Sequence, residues 1–424
     1  MEYIKKAPPQ PPSVSQEIRE TVSRIISDVE REGIDAVRRY SEKFDGWNPP
    51  SFRLSKREIE EGLNAVDPRI ARSIDFAIEQ VRKFAELQRA TLTDFEAETL
   101  PGVTLGQKQI PVNAVGSYIP GGRYSLVASA VMTVCVPKVA GVRRVVATAP
   151  IQRGANRINP AQLYAMVKSG ADEIFSIGGA QALAAMAFGL EDSPPLEAVD
   201  MIVGAGNAYV AEAKRQLFGV VGIDLLAGPT EVCILADETA DPEVVAADLL
   251  AQAEHGTNSQ SVLVTTSRAL AEATLKEIER QLETLPTAAV AGQAWRDLGE
   301  IILAESPQEM VQLSDRIASE HLEVQTRDPD WFLARLTNYG SLFLGHNATV
   351  AYGDKGIGTN HVLPTGRAAR YTGGLWVGKF IKTVTWQKVT NAGNLLVVPP
   401  IAMIADAEGM AGHAASVRLR LARD

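Results

Sequence analysis

Short apolar segments alternate with segments of helical spacing from about residue 110 onward, and this alternation restricts the fold more than any other feature of the chain. The apolar segments predict strands at Val112–Val115, Arg144–Ala149, Glu173–Ile177, Met201–Val203, Cys233–Ala236, Val262–Thr265 and Ser341–Leu344. The intervening segments predict helices at Val127–Val139, Pro160–Lys168, Ala180–Phe188, Ala208–Phe218 and Pro242–Glu254. Such alternation favours a parallel sheet covered by helices. Open parallel sheets bind ligands at the carboxyl ends of their strands, so we expect ligands there.

Helices are also predicted on both sides of this region. Ser15 is placed to cap the first helix, and a second helix is expected over Ala36–Phe44. Ser55 and Glu58 have the spacing of a capping box, and a longer amphipathic helix follows Pro68. The last fifty residues predict helix and loop.

Composition excludes several classes of protein. A chain of 424 residues is expected to form two or more domains. Its net charge of −9 argues against a nucleic-acid partner and gives no reason to expect adsorption to an anionic membrane. There is no apolar run of about 18 residues and no apolar segment typical of a secretory signal. The two cysteines, Cys135 and Cys233, lie far apart in apolar runs and are expected to be buried thiols, as in a cytoplasmic enzyme.

Three glycine loops follow predicted strands, and together they indicate a nucleotide site. They are Gly121-Gly122, Gly178-Gly179-Ala180-Gln181 and Gly204-Ala205-Gly206-Asn207. Glycine lets backbone N–H groups approach a pyrophosphate at the start of the next helix. The third loop has only half of the dinucleotide fingerprint, because its next glycine would fall at Tyr209. Each loop taken alone is better explained as a plain tight turn, and the three together do not specify the nucleotide.

All five histidines lie after residue 250, and one of them forms a candidate metal pair. Asp241 is placed to cap a helix that begins at Pro242 and carries Gln252 and His255. A spacing of three residues puts both side chains on one helix face. Imidazole is a good zinc ligand, and an amide oxygen is an uncommon one. The alternative is polar surface near a helix end.

Two further segments carry candidate chemistry. Glu320 and His321 form a proton-transfer couple if both reach one pocket, which requires a turn or a helix end because neighbours on a strand face opposite sides. A surface ion pair is the alternative. The glycine-rich segment 353–365 combines flexibility with Asp354 and His361, as loops that build sites often do. His413, taken alone, is most simply a histidine near a helix end.

Several segments, in this order and spacing, resemble the histidinol dehydrogenase family. They are Gly228-Pro229-Thr230-Glu231, Ala236-Asp237-Glu238-Thr239-Ala240-Asp241-Pro242, Gln252-Ala253-Glu254-His255, Glu320-His321-Leu322-Glu323 and Asn360-His361-Val362-Leu363-Pro364-Thr365. The resemblance covers nearly the whole chain.

The resemblance implies an α/β fold with two Rossmann-like parallel-sheet domains, N-terminal helices and a C-terminal helical tail that swaps between the subunits of a homodimer. The implied divisions are an N-terminal helical segment (1–45), a first α/β domain with the zinc and catalytic residues (46–110 and 231–365), a second Rossmann-like domain for NAD (111–230) and a C-terminal dimerisation tail (366–424).

The resemblance also implies the site residues. The implied zinc ligands are Gln252, His255, Asp354 and His413. The implied catalytic pair is Glu320 and His321, and the implied NAD contacts are Tyr118, Gln181 and Asn207. The implied substrate contacts are Thr230, His361 and Glu408, beside His321 and the four metal ligands. Since the tail swaps, Glu408 and His413 are expected in the site of the neighbouring subunit.

The implied reaction is a double oxidation that consumes two NAD, from a primary alcohol through an aldehyde to a carboxylate, as from L-histidinol to L-histidine. His321 is suited to accept the hydroxyl proton, and Glu320 to activate the water that hydrates the aldehyde. A zinc hydrolase that uses the same ligands and Glu320 is the alternative class, and a non-catalytic paralogue is a third reading.

Two departures from the family pattern leave the substrate open. Arg123-Tyr124-Ser125-Leu126-Val127-Ala128-Ser129 and Tyr371-Thr372-Gly373-Gly374-Leu375-Trp376-Val377-Gly378-Lys379 resemble the branch that includes sulfopropanediol dehydrogenase. A sulfonate needs cationic donors, and the divergent segments supply Arg123, Arg367, Arg370, Lys379 and Lys382. Those cations are also compatible with a solvated surface. Glu408, which suits an imidazole N–H, favours histidinol, so both histidinol and a small anionic polyol such as 2,3-dihydroxypropane-1-sulfonate stay open.

Overall fold

The computed structural model describes residues 1–8, 16–121, 124–152 and 154–421. Its strands are β1 (Glu2–Lys5), β2 (Phe95–Leu100), β3 (Val103–Pro111), β4 (Ala114–Tyr118), β5 (Arg144–Thr148), β6 (Glu173–Phe175), β7 (Met201–Val203), β8 (Gly222–Ile223), β9 (Glu231–Ala236), β10 (Gln260–Thr265), β11 (Glu300–Leu303), β12 (His321–Gln325), β13 (Ser341–Leu344) and β14 (Ile381–Val389).

The helices cover both sheets and the two ends of the chain. They are α1 (Gln16–Glu32), α2 (Ile34–Asp45), α3 (Lys56–Asn64), α4 (Pro68–Ala90), α5 (Val127–Ala130), α6 (Val136–Ala140), α7 (Pro160–Ser169), α8 (Gly179–Phe188), α9 (Ala208–Leu217), α10 (Pro242–Ala253), α11 (Arg268–Leu282), α12 (Ala288–Leu298), α13 (Pro307–Ile317), α14 (Pro329–Leu333), α15 (Val350–Lys355), α16 (Asn391–Ala407) and α17 (Ala411–Arg418). A π-helical turn joins α5 to α6. Short 3₁₀ turns lie at Ala368–Arg370 and Val377–Phe380.

One sheet has six strands in the order β1-β11-β10-β9-β12-β13. Strands β9 to β13 are parallel, and β1 is antiparallel at the edge beside β11. Val232 and Ile234 belong to the core on one face, while Cys233 and Leu235 belong to the core on the other. Because helices cover both faces of the sheet, β9 is a continuous apolar run rather than an alternating one.

The other large sheet is fully parallel and has the strand order β6-β5-β4-β7-β8. Helices α1 and α2 pack against α8, with α1 also touching α9, while α3 and α4 pack against α7. Strand β1 lies in the six-stranded sheet, far along the chain from its partner β11. These contacts do not test the domain divisions that the resemblance implies, so the divisions stay a prediction.

The expected α/β architecture with parallel sheets is confirmed, and each of the seven expected strands overlaps a strand of the structure. The expectation of only helix and loop in the last fifty residues is wrong. Strand β14 pairs with β3 along nine residues from Ile381 to Val389, beside the hairpin partner β2. The period-two pattern of β-branched residues in Ile381–Val389 explains this strand. It precedes the two C-terminal helices.

Several local expectations are met. Ser55 and Glu58 form the reciprocal capping box, and Asp241 caps α10 ahead of Pro242. Cys135 and Cys233 are buried free thiols. Ser15, Gly122 and Arg123 lie outside the described residues. In the described part of the chain, no helix is long and apolar enough to span a lipid bilayer.

Candidate active site

The Glu320–His321 pair lies at the amino end of β12, in the interior of the six-stranded sheet. The side chains of Glu320 and His321 are 6 % and 3 % exposed, so the surface ion-pair alternative is wrong. Glu320 precedes the strand, which lets its carboxyl lie 3.5 Å from Nδ1 of His321. The turn that this geometry requires follows Ala318, whose backbone is left-handed. The pair therefore lies at the opposite edge of this sheet from the carboxyl ends of the strands, where the sequence predicts a ligand.

A hydrogen-bond network fixes the Glu320 carboxylate. Its Oε2 accepts from the hydroxyl of Thr230 at 2.5 Å and from the backbone N–H of Glu231 at 3.1 Å. The amide of Gln252 in turn donates to the Thr230 hydroxyl. Gln252 is 2 % exposed, which contradicts the polar-surface alternative for this residue. The network therefore joins a predicted metal ligand, a predicted substrate contact and a predicted catalytic residue.

Three histidines lie close to the carboxyl and backbone groups of Asp354. Its Oδ1 lies 3.5 Å from Nε2 of His321, and its Oδ2 lies 3.9 Å from Nε2 of His255. Its backbone oxygen lies 2.9 Å from Nδ1 of His361. Helix α10 ends at Ala253, so His255 follows the helix rather than sharing its face with Gln252 as the spacing predicted. The histidine nonetheless reaches Asp354, because its N–H bonds back to the Gln252 carbonyl and continues the turn.

Burial and mutual charge perturb the pKa values of these groups. Burial works to lower the pKa of His321, but the neighbouring Glu320 and Asp354 outweigh it and raise that pKa to about 9. Burial raises the pKa of Glu320. Burial also works to raise the pKa of Asp354, but the nearby His321 and the other cationic groups around it hold that pKa well below its usual range. Burial lowers the pKa of His255 and of His361, which favours neutral rings.

The donor set at this point suits a zinc ion. The neutral imidazole of His255 and the carboxylate of Asp354 are ordinary zinc ligands. Gln252 lies in the same cluster because its amide nitrogen donates to Thr230, which leaves its amide oxygen as the possible ligand. Two ligand atoms that each lie about 2.1 Å from zinc are separated by roughly 3–4 Å, which the His255–Asp354 distance of 3.9 Å matches. Among the described residues of the single chain, however, no group of three or more His, Cys, Asp or Glu side chains is placed to hold a metal.

His413 and Glu408 are not brought to this cluster by the chain itself. His413 lies exposed on α17, which packs against α16, and Glu408 is the exposed cap residue between these two helices. The predicted fourth ligand and one predicted substrate contact are therefore separate from the other site residues within one chain.

A cavity of about 640 Å³ lies at the carboxyl ends of the five-stranded sheet and is lined by Tyr118, Gln181 and Asn207, the three residues expected to contact NAD. Both polar atoms of the Gln181 side chain are buried and make no hydrogen bond to any described residue, which fits a polar ligand in this cavity. Gly204 has a φ of +123°, and a Cβ there would collide with the backbone of Tyr118. The glycine therefore permits the close approach of the two loops.

Sequence reasoning missed two members of the site. Glu231 begins β9, and its Oε1 accepts from the N–H groups of Glu320 and Gly366. Burial and the nearby Glu320 raise the pKa of Glu231 to about 7. Ser129 lies on α5, and its hydroxyl is 3.0 Å from Nε2 of His361. Glu231 was visible only as part of a motif, whereas Ser129 carried no signal beyond its segment.

The cations of the divergent segments lie in different places. Arg367 and Arg370 are exposed, directly after Gly366, whose N–H bonds to Glu231. Lys379 is half-buried and donates to Thr372, and Lys382 is exposed on β14. Of the described cations in the divergent segments, Arg367 and Arg370 are the two that come directly after a residue of the site.

Comparison with known proteins places the chain among dehydrogenases. A family model described as histidinol dehydrogenase matches residues 9–421. The chain is 54 % identical over 406 residues to a histidinol dehydrogenase homolog of Shouchella clausii, which covers 96 % of this chain and 95 % of the relative. It is 50 % identical over 425 residues to sulfopropanediol 3-dehydrogenase of Ruegeria pomeroyi, a match that covers 100 % of this chain and 97 % of the relative.

Relatives named histidinol dehydrogenase without qualification are less similar. The protein of Rhizobium meliloti is 42 % identical over 410 residues, which covers 96 % of this chain and 93 % of the relative. The crystal structure of histidinol dehydrogenase from Elizabethkingia anophelis superposes with a TM-score of 0.91 at 35 % identity, covering 97 % of this chain and 94 % of that chain.

Proposed function

The chain belongs to the histidinol dehydrogenase family of oxidoreductases, and we propose that it oxidises a small polar primary alcohol through an aldehyde to a carboxylate, with NAD as hydride acceptor and with bound zinc. The observation that carries this proposal is the buried contact of Glu320 and His321 beside Asp354. An acid and a base in one pocket, with pKa values shifted by burial and by each other, are the pattern of an acid–base site.

In the first oxidation, His321 is the base. Its Nδ1 faces the backbone oxygen of Glu231 at 3.1 Å, so the neutral ring carries its proton on Nδ1 and leaves Nε2 as the acceptor. Nε2 lies 3.5 Å from Oδ1 of Asp354 and makes no hydrogen bond within the described residues. Because the pKa of His321 is raised to about 9, the ring must lose its Nε2 proton before this atom accepts the proton of the substrate hydroxyl. The proton of the hydroxyl would pass to Nε2, and bound NAD would accept the hydride from the carbinol carbon, which leaves an aldehyde.

In the second oxidation, Glu320 is the base. Water adds to the aldehyde carbon while its proton passes to the Glu320 carboxylate, which Thr230 and the Glu231 N–H hold in place. Once His321 has released the first proton to solvent, it would accept a hydroxyl proton of the hydrate, and a second NAD would accept the hydride, which leaves the carboxylic acid. A carboxyl group whose pKa is raised by burial is a stronger base in its ionised form than an exposed one.

Gln252, His255 and Asp354 would hold the zinc ion within one chain. When bound, zinc supplies a positive charge that holds and orients the polar groups of the substrate. Tyr118, Gln181 and Asn207 would bind NAD in the cavity of the five-stranded sheet. That cavity favours a dehydrogenase over the zinc hydrolase alternative, because hydrolysis needs no nucleotide.

A second copy of the chain would complete the site in a homodimer. The C-terminal helices expose large apolar side chains, among them Leu395 (67 %), Met403 (72 %), Ile404 (59 %) and Leu419 (60 %). Apolar surface of this kind typically packs against another protein. Glu408 and His413 belong to the same C-terminal helical segment, so contact between subunits through this segment would bring them to the neighbouring site, as the resemblance implies.

We favour a small anionic polyol such as 2,3-dihydroxypropane-1-sulfonate as the substrate. Identity to the sulfopropanediol dehydrogenase is 50 %, against 42 % to the Rhizobium meliloti histidinol dehydrogenase, at similar coverage. Arg367 and Arg370 follow the site residue Gly366 and are suited to a sulfonate. L-histidinol is the second candidate substrate, favoured by Glu408, which would accept a hydrogen bond from an imidazole N–H.

A side-by-side assay of NADH formation with both alcohols tests this proposal. Turnover of the sulfonate with two NADH formed per substrate is the expected result, and turnover of L-histidinol alone refutes the substrate assignment. Absence of NAD binding, with hydrolytic activity that depends on Glu320, refutes the reaction class in favour of a hydrolase.

A further inference from the structure

A second pair of acidic side chains, Asp248 and Glu323, lies behind the active site. Asp248 is on α10, four residues before Gln252, and Glu323 is on β12, two residues after His321 and on the same strand face. Glu323 is fully buried. The function described above does not use either residue.

Hydrogen bonds connect this pair to a third element of the site. Oε1 of Glu323 accepts from the N–H of Val350 at 2.9 Å, and Oδ1 of Asp248 accepts from the hydroxyl of Thr349 at 3.0 Å. Val350 begins α15, which carries Asp354 one helical turn later. The two acidic residues therefore join the helix of Gln252, the strand of His321 and the helix of Asp354.

The amide nitrogen of Gln325 bridges the two carboxyl groups, because it donates to Asp248 at 2.8 Å and to Glu323 at 3.1 Å. Two buried carboxylates held by one amide repel each other unless one of them carries a proton, which the pair can then share. The strand neighbours of Glu323 are the apolar Ile234 and Phe343. The described partners of the pair carry no positive charge to replace that proton.

We propose that Asp248 and Glu323 share one proton, and that this shared hydrogen bond is a positioning device which holds the predicted metal ligands and the catalytic histidine at their working separation. The proposal rests on the function described above for the neighbouring site. The arrangement is a layer of support behind side chains that contact substrate and metal, where loss of a partner typically lowers activity or metal affinity by about 10–100-fold.

The proton is held strongly. Burial and the adjacent Asp248 raise the pKa of Glu323 to about 8. A carboxyl whose pKa is higher in the folded chain contributes most stability at acidic pH, and that contribution is lost as pH rises towards about 8. Deprotonation leaves two negative charges facing each other between α10 and β12.

Three variants test the proposal. Glu323→Gln keeps an amide N–H for Asp248 and an oxygen for Val350 but does not ionise, and Glu323→Met keeps length without hydrogen bonding. We expect kcat of the Met variant to fall by about tenfold or more with KM for NAD unchanged, and the Gln variant to stay within about threefold of wild type. Glu212→Gln, a buried acid on α9, is the matched control and is expected to keep wild-type kcat.

Two further measurements do not depend on turnover. Infrared spectroscopy at pH 7 is expected to show protonated-carboxyl intensity that Glu323→Gln lowers by one carboxyl group and that Glu212→Gln retains. The remaining intensity includes Glu231, whose pKa is raised to about 7. Between pH 5 and pH 8 the Tm of wild type is expected to fall more than that of Glu323→Gln, by at least ~2 °C.

The outcomes separate the two proposals. Wild-type kcat in Glu323→Met, or equal losses in the Met and Gln variants, overturns the positioning role. Protonated-carboxyl intensity that is unchanged in Glu323→Gln overturns the shared proton. If wild type oxidises neither alcohol, the proposed function fails, while the infrared and Tm comparisons still decide whether the proton is shared.

Discussion

Substitution of Lys214 by Met is expected to destabilise the fold and to loosen the loop at residues 204–207, which reaches the proposed NAD cavity through Asn207. Lys214 and Asp224 form an ion pair whose side chains are 2 % and 0 % exposed. Lys214 also donates to the carbonyl of Gly204 at 2.9 Å, and Asp224 accepts from the N–H of Gly204 at 2.8 Å. Both polar groups of Gly204 are thus held by one buried pair, three residues before Asn207.

The magnitude follows from what the substitution leaves behind. Met fills the volume of the Lys side chain but leaves the Asp224 carboxylate buried without its cation. Loss of one partner from a buried ion pair costs about 3–5 kcal/mol in free energy of unfolding. Asp224 keeps its bonds to Gly204 and to the N–H of Leu225 at 2.7 Å, so we expect the lower half of that range.

Two assays check this expectation, with Lys83→Met as the matched control. Lys83 pairs with Glu79 on the surface of α4, where both side chains are more than half exposed, so its loss should cost less than about 1 kcal/mol. Denaturant titration gives the free energy of unfolding, and steady-state kinetics should show KM for NAD raised more than kcat is lowered. A change below about 1 kcal/mol in Lys214→Met, or an unchanged KM for NAD, refutes the reasoning.

Four further predictions follow from the site. Glu320→Gln is expected to lower NADH formation on the order of 10²–10⁴-fold, with NAD affinity from fluorescence titration unchanged. Chelation is expected to abolish turnover and added zinc to restore it, and full activity in metal-free protein measured by elemental analysis would contradict a zinc site. His321→Asn and His413→Asn are each expected to be inactive. When the two variants are mixed and exchange subunits, about a quarter of wild-type activity should return, because half of the dimers then contain one intact site. No recovery after subunit exchange argues against shared sites. Gln181→Ala is expected to raise KM for NAD with kcat on saturating NAD little changed, and the opposite split would remove Gln181 from the cofactor site.

The sequence predicts much of the fold because each parallel strand is a short apolar run between turn residues. The period-two pattern of β14 is a local signal for a strand, but its pairing is not predictable, because the paired residues of β3 lie at least 270 positions away in the chain. Local patterns also identify Gln252, His255 and the Glu320–His321 pair as candidates. They do not show that Asp354 lies among the histidines, since that depends on where the turn after α15 returns.

The positions of the two half-sites explain why the general rule for parallel sheets locates only one of them. The cofactor cavity lies where β4, β6 and β7 end, as the rule expects, but the catalytic pair lies where β12 begins. Hydride transfer requires these two edges to face each other across the substrate. Contacts of the 354–361 segment with the helix after β4 connect the two regions, through His361 to Ser129 and through the Asn360 amide to the carbonyl of Met132 at 3.2 Å. In the proposed reaction, the approach of His321 to bound NAD would depend on this loop between sheets, whose course no strand or helix pattern encodes.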